Sequence, residues 1–205
     1  MYAMRSWQAQ ELRRLRQRPK SAHVKRILVK LWMGESNIRG AMRLSKWFHF
    51  KVPLVGRAIS MILDRSLLLR YGFEVTSYRV NVRQLQASHP NGVLLGGNGI
   101  VSDGRVAVMS GVKFVGPAPD NERYLERHRT GDGFRLGDNV VIGANSVVVG
   151  PVEICDNVVI GAMSLVNRSI TEPGTYVGIP AKRIGDDVPS DIWVSRSGAK
   201  AQAPA

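Results

Sequence analysis

Aliphatic residues recur at every sixth position in the second half of the chain. The series is Leu136, Ile142, Val148, Ile154, Ile160 and Val166. A helix repeats its faces every 3.6 residues and a strand every two, so neither explains six successive matches at a period of six. We predict a coil with flat sides, in which each repeat forms a short strand and a corner and points one aliphatic side chain inward. Three sides would make a coil of about 18 residues.

The same period appears upstream, where the series is Leu94, Ile100, Val106 and Val112, and Val115 ends the run. Between the two runs lies the segment 117–133, PAPDNERYLERHRTGDG, which is polar and charged and offers no aliphatic residue at the repeat position. We predict that this segment is a loop extruded from one corner of the coil. Long loops in compact domains are often functional.

The first 70 residues have a different pattern. Residues 7–33 show helical spacing with basic faces, and Pro19 interrupts them. The following stretch to residue 70 predicts two or three short helices with a break at Pro53. The predicted organisation is therefore a basic α-helical region over 1–70, a solenoid over 71–186 and a C-terminal tail over 187–205.

Charge is concentrated in that first region. Residues 1–70 hold 16 Lys and Arg against three acids, whereas the rest of the chain is balanced, so the whole net charge of +13 lies there. Such a segment favours an anionic partner, either a phospholipid surface, nucleic acid or an acidic glycan. Nucleic acid is disfavoured because the region carries no recognised nucleic-acid motif and no aromatic stacking platform.

Other features bound the class of protein. The single cysteine, Cys155, excludes an intrachain disulfide. The N-terminus lacks a signal peptide's apolar stretch, and no segment supplies the roughly 18–20 clean apolar residues of a membrane span. We expect a cytoplasmic protein, either free or peripheral on the inner face of the membrane.

The repeats resemble those of a known family. Over Leu136–Ile184 the sequence is similar to the hexapeptide-repeat, left-handed β-helix acyltransferases, and the segment TYVGIPAKRIG at 175–185 looks like their terminal coil. The nearest branch is that of the serine acetyltransferases, many of whose members modify capsular polysaccharide or exopolysaccharide sugars.

The resemblance implies a mainly β fold: a left-handed parallel β-helix with an α-helical N-terminal segment and a short C-terminal helix or tail. Handedness comes from the resemblance alone, because parallel β crossovers are otherwise right-handed in about 98% of cases. The resemblance also implies a homotrimer or a dimer of trimers, with active sites shared between subunits and acetyl-CoA as acyl donor. No metal is expected, since zinc needs about three protein ligands and only two histidines lie in the solenoid region.

Acyl transfer to a hydroxyl needs a base, and a neutral imidazole suits that role at neutral pH. His89, in the sequence Ser88-His89-Pro90-Asn91-Gly92, looks like the catalytic His-x-x-Gly segment of the branch, which implies that it is the general base. The resemblance implies that Glu74, fifteen positions earlier where the family usually has Asp, orients the imidazole. It also implies that His128, in the loop, is a second active-site histidine.

One departure from the branch bears on the acceptor. Serine acetyltransferases typically carry Asp immediately before the catalytic histidine, where it helps to hold the substrate ammonium group, but this chain has Ser88. The change favours an uncharged hydroxyl such as that of a sugar. Together with Ser88, the resemblance implies that Asn91 and Arg127 contact the acceptor.

Small corner residues imply a path for the pantetheine arm of the donor. By resemblance the candidates are Gly143, Ala144, Gly161 and Ala162, with Lys182 and Arg183 near the nucleotide phosphates. Alternatively, the glycines and alanines are turn residues only.

The sequence therefore predicts an acetyl-CoA-dependent O-acetyltransferase that acts on a sugar hydroxyl in capsular polysaccharide, exopolysaccharide or a related glycan. The alternatives are a serine O-acetyltransferase and a catalytically silent solenoid that serves as a scaffold at a membrane surface. The basic helices either bind anionic lipid, or cap the open end of the solenoid and join trimers, as helical caps do in the enzymes that the chain resembles.

Overall fold

A computed structural model of the protein describes residues 35–116 and 133–186. Of the two units into which the chain divides, the second begins at Arg39 and contains the site discussed below. The helices predicted within 7–33, the loop residues 117–132 and the tail from 187 lie outside the described residues. No helix among those described is long and apolar enough to span a bilayer.

Two helices precede a series of short strands. The helices are α1 (Glu35–Lys51) and α2 (Gly56–Tyr71), and a 3₁₀ turn spans Ser77–Arg79. The strands are β1 (Glu74–Val75), β2 (Val80–Ala87), β3 (Leu94–Leu95), β4 (Ile100–Val108), β5 (Lys113–Val115), β6 (Phe134–Leu136), β7 (Val140–Ile142), β8 (Val147–Val149), β9 (Glu153–Ile154), β10 (Val158–Ile160), β11 (Leu165–Val166), β12 (Gly174–Val177) and β13 (Lys182–Gly185).

The strands wind into a parallel solenoid. One sheet has the order β1-β3-β5-β8-β11, and the other runs β13-β12-β10-β7-β4-β6-β9 with β2 paired to β4. The first half of β4 pairs with β6 and its second half with β7, so the long strand supplies two of the three sides of its coil. Ladder partners such as Val140 and Val158 lie 18 positions apart, as a coil of three hexapeptides requires. Among the strands of residues 35–116 and 133–186, only the terminal pair β12–β13 is antiparallel.

The predicted aliphatic column forms the core. All six residues of the series from Leu136 to Val166 are buried, and the buried rings of Phe114 and Phe134 make a T-shaped contact in the core. In the upstream run Ile100, Val106 and Val112 are buried as predicted, but the prediction is wrong at Leu94. Leu94 is only half-buried, whereas its neighbour Leu95 points inward. The ladder gives the reason, since Leu95 pairs with Phe114 and Phe114 with Val148, which sets the register one residue after the predicted position.

The two helices cover the first coil. The Asp64 carboxylate of α2 accepts a hydrogen bond from the backbone N–H of Ser77 at 2.9 Å, and Lys46 of α1 donates to the carbonyl of Val80. The ring of His49 stacks on Tyr78 at 4.1 Å. Burial of the Lys46 ammonium group lowers its pKa, and the nearby positive charge of Arg43 lowers it further. These contacts hold α1 and α2 against this end of the solenoid.

Candidate active site

One corner of the solenoid repeats the same turn in successive coils. The backbone N–H of Val93 donates to the carbonyl of Pro90 at 3.3 Å, that of Val112 to Met109 at 3.4 Å and that of Ser146 to Gly143 at 3.3 Å. In each turn the third residue is left-handed, with φ of 74° at Gly92, 72° at Gly111 and 58° at Asn145. We call the turns 90–93, 109–112 and 143–146, with the corner 161–164 above them, the corner column.

The first turn of the corner column is preceded by two extra residues. Strand β4 ends at Val108 and its turn begins at Met109, and β7 likewise runs directly into its turn. Strand β2 ends at Ala87, but its turn begins at Pro90. Ser88 and His89 are therefore an insertion that pushes the chain outward at this corner. The sequence carries a signal for it, since the interval from Ala87 to Leu94 is two residues longer than that from Val108 to Lys113.

His89 is exposed and adopts a left-handed backbone with φ of 52°. This conformation costs an L-residue other than glycine about 1–2 kcal/mol, although histidine visits it more often than most. Strained, exposed residues of this kind cluster at functional sites. The same left-handed φ occurs at the regular corners of Asn145 and Met163, so the feature that marks His89 independently of its sequence motif is the two-residue insertion that contains it.

Glu74 lies one layer from this corner. Its backbone N–H donates to the carbonyl of Val93 at 2.8 Å, and Gly72 accepts from Gly92 at 3.0 Å. The exposed Glu74 side chain lines a cavity of about 650 Å³ between the helices and the first coil, with His49, Asp64 and Tyr78 among the other lining residues. Within the described residues no hydrogen bond joins Glu74 to His89, so the orienting role of Glu74 stays a prediction.

The predicted acceptor residues are held by the same corner. Ser88 donates its N–H to the carbonyl of Val108 at 2.9 Å, and its hydroxyl accepts from Gln86 Nε2 at 3.3 Å. Asn91 is exposed, and its carbonyl accepts from Gly111 at 2.9 Å. Arg127 and His128 lie outside the described residues.

The small residues predicted to contact the donor continue the corner column. Gly143 donates to Ile160 and Gly161 to Tyr176, both at 2.8 Å. A Cβ on Gly143 would lie 2.5 Å from the nitrogen of Ala162, and one on Gly161 would lie 2.6 Å from Val177 Cγ1. Close stacking of the coils therefore requires both glycines. The side chains of Ala144 and Ala162 are single methyl groups, so little projects from the outer surface of the column there. Together with the two glycines, they lie on the corner that carries His89.

The two predicted phosphate ligands differ in their environment. Arg183 donates from Nε to the carbonyl of Pro173 at 2.9 Å, and its guanidinium pairs with Asp186, which fixes the terminal β12–β13 hairpin. Lys182 is exposed on the same strand. Of the two cations, Lys182 is thus the one whose charge is directed to solvent.

A second polar corner was not predicted from the sequence. Asp138 accepts hydrogen bonds from the backbone N–H of Arg105 at 2.7 Å and from its guanidinium at 3.0 and 3.1 Å. The Arg105 guanidinium is the main cause that lowers the pKa of Asp138 to about 2. Cys155 follows β9 at the same corner, and burial raises the pKa of its thiol, which argues against a nucleophilic role.

Comparisons with known proteins agree with this geometry. Residues 135–168 match the family described as bacterial transferase hexapeptide (six repeats). A serine acetyltransferase from Mycobacterium tuberculosis is 33% identical over 102 residues, which cover 50% of this chain and 41% of that protein.

Solved structures share the fold. The serine acetyltransferase of Brucella abortus in complex with coenzyme A has a TM-score of 0.61 at 19% identity, over 72% of this chain and 54% of the other. Soybean serine acetyltransferase complexed with serine gives 0.58 at 20% identity, over 70% and 54%. The chain spans about half the length of these relatives. Residues 135–168 thus match the hexapeptide repeats of bacterial transferases, and they lie in a β-helix that has the fold of the serine acetyltransferases.

Proposed function

We propose that this protein transfers an acetyl group from acetyl-CoA to a hydroxyl, with His89 as the general base. The observation that carries the proposal is the insertion of Ser88 and His89 at the corner column. It places an exposed imidazole, held in a strained conformation, in line with a strip of small side chains. The exposed imidazole takes no part in the stacking of the coils.

The chemistry follows from the exposed imidazole. His89 takes the proton of the acceptor hydroxyl as the oxygen attacks the thioester carbonyl, because an alcohol is a poor nucleophile until its proton is removed. The tetrahedral intermediate then collapses and expels the thiolate of coenzyme A, which is protonated by the imidazolium. A carboxylate on the far ring nitrogen would stabilise that imidazolium, and Glu74 is the acid whose backbone lies one layer away.

The donor lies along the corner column in this proposal. The low surface at Ala144 and Ala162 lets a pantetheine arm approach the backbone, and the exposed Lys182 offers a cation for a phosphate. The Brucella abortus enzyme of this fold is known in complex with coenzyme A.

Two classes of acceptor remain, each favoured by one observation. The named relatives are serine acetyltransferases, and one is complexed with serine, which favours serine. The residue before His89 is Ser88, and the chain has no acidic residue between Glu74 and Asp103 to hold an ammonium group there. That absence favours a sugar hydroxyl of a capsular or related glycan, which is the acceptor we propose, with serine as the second candidate.

The proposed assembly is a homotrimer or a dimer of trimers. Strand β5 ends at Val115, at a different corner from the corner column, and His128 follows it in the sequence. If His128 serves the same reaction as His89, a neighbouring copy brings the two corners together, and a closed ring provides this for every copy.

The test is release of the coenzyme A thiol from acetyl-CoA in the presence of serine, simple sugars or nucleotide sugars. We expect turnover with a sugar, lost in His89→Asn, a variant that tolerates the left-handed backbone. Turnover with serine alone would select the second candidate. Failure to bind coenzyme A would refute the proposal and leave a scaffold.

Shared sites have their own test. Mixing His89→Asn with His128→Asn subunits should restore part of the activity that each variant lacks, because some interfaces then hold one intact copy of each residue. No recovery after verified subunit exchange would contradict a site shared in this way.

A further inference from the structure

The helical hairpin formed by α1 and α2 ends in an exposed apolar tip. The tip consists of Phe50, Lys51, Leu54, Val55 and Arg57. Its apolar side chains are 67% exposed at Phe50, 99% at Leu54 and 59% at Val55. One helical turn before Phe50, on a neighbouring part of α1, Trp47 is 53% exposed.

The tip is not explained by the packing of the hairpin itself. The two helices meet through Ser45 and Ser60, whose hydroxyl oxygens lie 2.9 Å apart. Gly56 lets the start of α2 close on α1, since a Cβ there would lie 2.2 Å from the carbonyl oxygen of Phe48. These contacts use the inner faces of the helices and leave the tip outside.

Leu54 is the clearest sign of an outside partner. It adopts a left-handed backbone with φ of 63°, where glycine or asparagine is the ordinary residue. The strain of this conformation is not offset by burial of the side chain, which is almost fully exposed. A leucine in this position gains stability only if something apolar covers it.

The surrounding charge identifies what covers it. From Ser36 to Leu63 the chain has five Lys and Arg residues and no acid. Residues 1–34 are equally one-sided, with nine Lys and Arg against one acid. A second copy of the tip, or the chain's own N-terminal segment, would therefore meet it with like charge. Nucleic acid satisfies the cations but gives no place for the aliphatic side chains of Leu54 and Val55.

We propose that the tip of the α1–α2 hairpin docks the protein on an anionic phospholipid surface. Phe50, Leu54 and Val55 enter the boundary between head groups and acyl chains, while Lys51 and Arg57 pair with lipid phosphates. Trp47 lies at the level of the head groups, where indole rings are favoured. The inference rests on the exposed tip and is independent of the acyltransferase proposal.

The test is sedimentation of the full-length protein with vesicles of phosphatidylcholine, with and without phosphatidylglycerol. Wild type is expected to bind the anionic vesicles and to dissociate as salt is raised. Phe50→Ser with Leu54→Ser should weaken binding at least tenfold, and Lys51→Ala about fivefold. Val101→Ser, which removes an exposed apolar residue of the solenoid, is the matched control and should bind like wild type.

Three results would overturn the proposal. The first is no binding of wild type to anionic vesicles. The second is binding that the Phe50→Ser, Leu54→Ser variant leaves unchanged, which would assign it to residues outside the tip. The third is a change of oligomeric state in that variant without any vesicle binding, which would assign the tip to a second copy. Thiol release with a soluble acceptor should stay at the wild-type rate in the variant, so loss of membrane binding and loss of catalysis are distinguishable.

Discussion

Replacing Gly143 by alanine tests whether the corner column is shaped by stacking. The added Cβ would lie 2.5 Å from the nitrogen of Ala162, 2.7 Å from the carbonyl carbon of Gly161 and 2.8 Å from the carbonyl oxygen of Ile160. All three atoms are backbone, so no flexible side chain can move aside.

The size of the effect follows from these distances. Relief requires the next coil to shift by about half an ångström, and Gly143 itself is tied to that coil by a 2.8 Å hydrogen bond to Ile160. Overpacking of this kind costs about 1–3 kcal/mol, and we expect the upper part of that range because only backbone can yield. For a chain of this length the melting temperature should fall by about 5–10 °C.

The assay is thermal unfolding at one protein concentration, since an oligomer's melting temperature depends on concentration. Gly40→Ala is the control, because Gly40 is exposed on α1 and nothing lies within 4 Å of the added Cβ. Since alanine favours a helix more than glycine does, this variant should be more stable than wild type by about 0.5–1 kcal/mol. A melting temperature of Gly143→Ala within about 2 °C of wild type would show that the coils leave room for a methyl group at this position and are not stacked as closely as these distances indicate.

The remaining predictions concern separate parts of the molecule. The pKa of Asp138 is held near 2, below its ordinary value of 3.8, so the ion pair with Arg105 stabilises the fold above about pH 4 and that contribution is lost as pH falls toward 2. Because both side chains are more than one third exposed, Asp138→Asn should lower the free energy of unfolding in urea by only about 1 kcal/mol at pH 7. The decrease should be smaller at pH 3, and an equal decrease at both pH values would contradict this. Leu54→Asn should raise the unfolding free energy by about 0.5–1 kcal/mol by relieving the left-handed leucine, while an unchanged or lower value would show that Leu54 is not strained. Burial raises the pKa of Cys155, so iodoacetamide at pH 7.5 should label it more slowly than a free cysteine, and labelling at the rate of the free thiol would refute that assignment.

The sequence predicted the features that depend on simple periodicity. One inward aliphatic residue per hexapeptide is enough to specify a repeating coil, and the column from Leu136 to Val166 is buried as predicted. The break at Pro53 was also placed correctly between two helices, since proline cannot continue a helix and α1 ends at Lys51.

Features that depend on register or tertiary contact were not predictable in the same way. Neighbouring aliphatics such as Leu94 and Leu95 are equivalent in composition, and only the pairing of Leu95 with Phe114 decides which one points inward. Arg183 looked like a free cation, but the terminal hairpin brings it to Pro173 and Asp186. The insertion at His89 was visible in the sequence only through the length of one corner, which a search for regular repeats passes over.

If His89 acts as a base at the corner column, the rate of thiol release from acetyl-CoA depends on its imidazole. The comparison is wild type against His89→Asn, with melting temperature measured in parallel to show that the left-handed corner is intact. We expect acceptor-dependent turnover in wild type and, in the variant, a loss of about a hundredfold or more with coenzyme A binding preserved. Turnover in His89→Asn at the wild-type rate would show that the inserted histidine has no part in the chemistry.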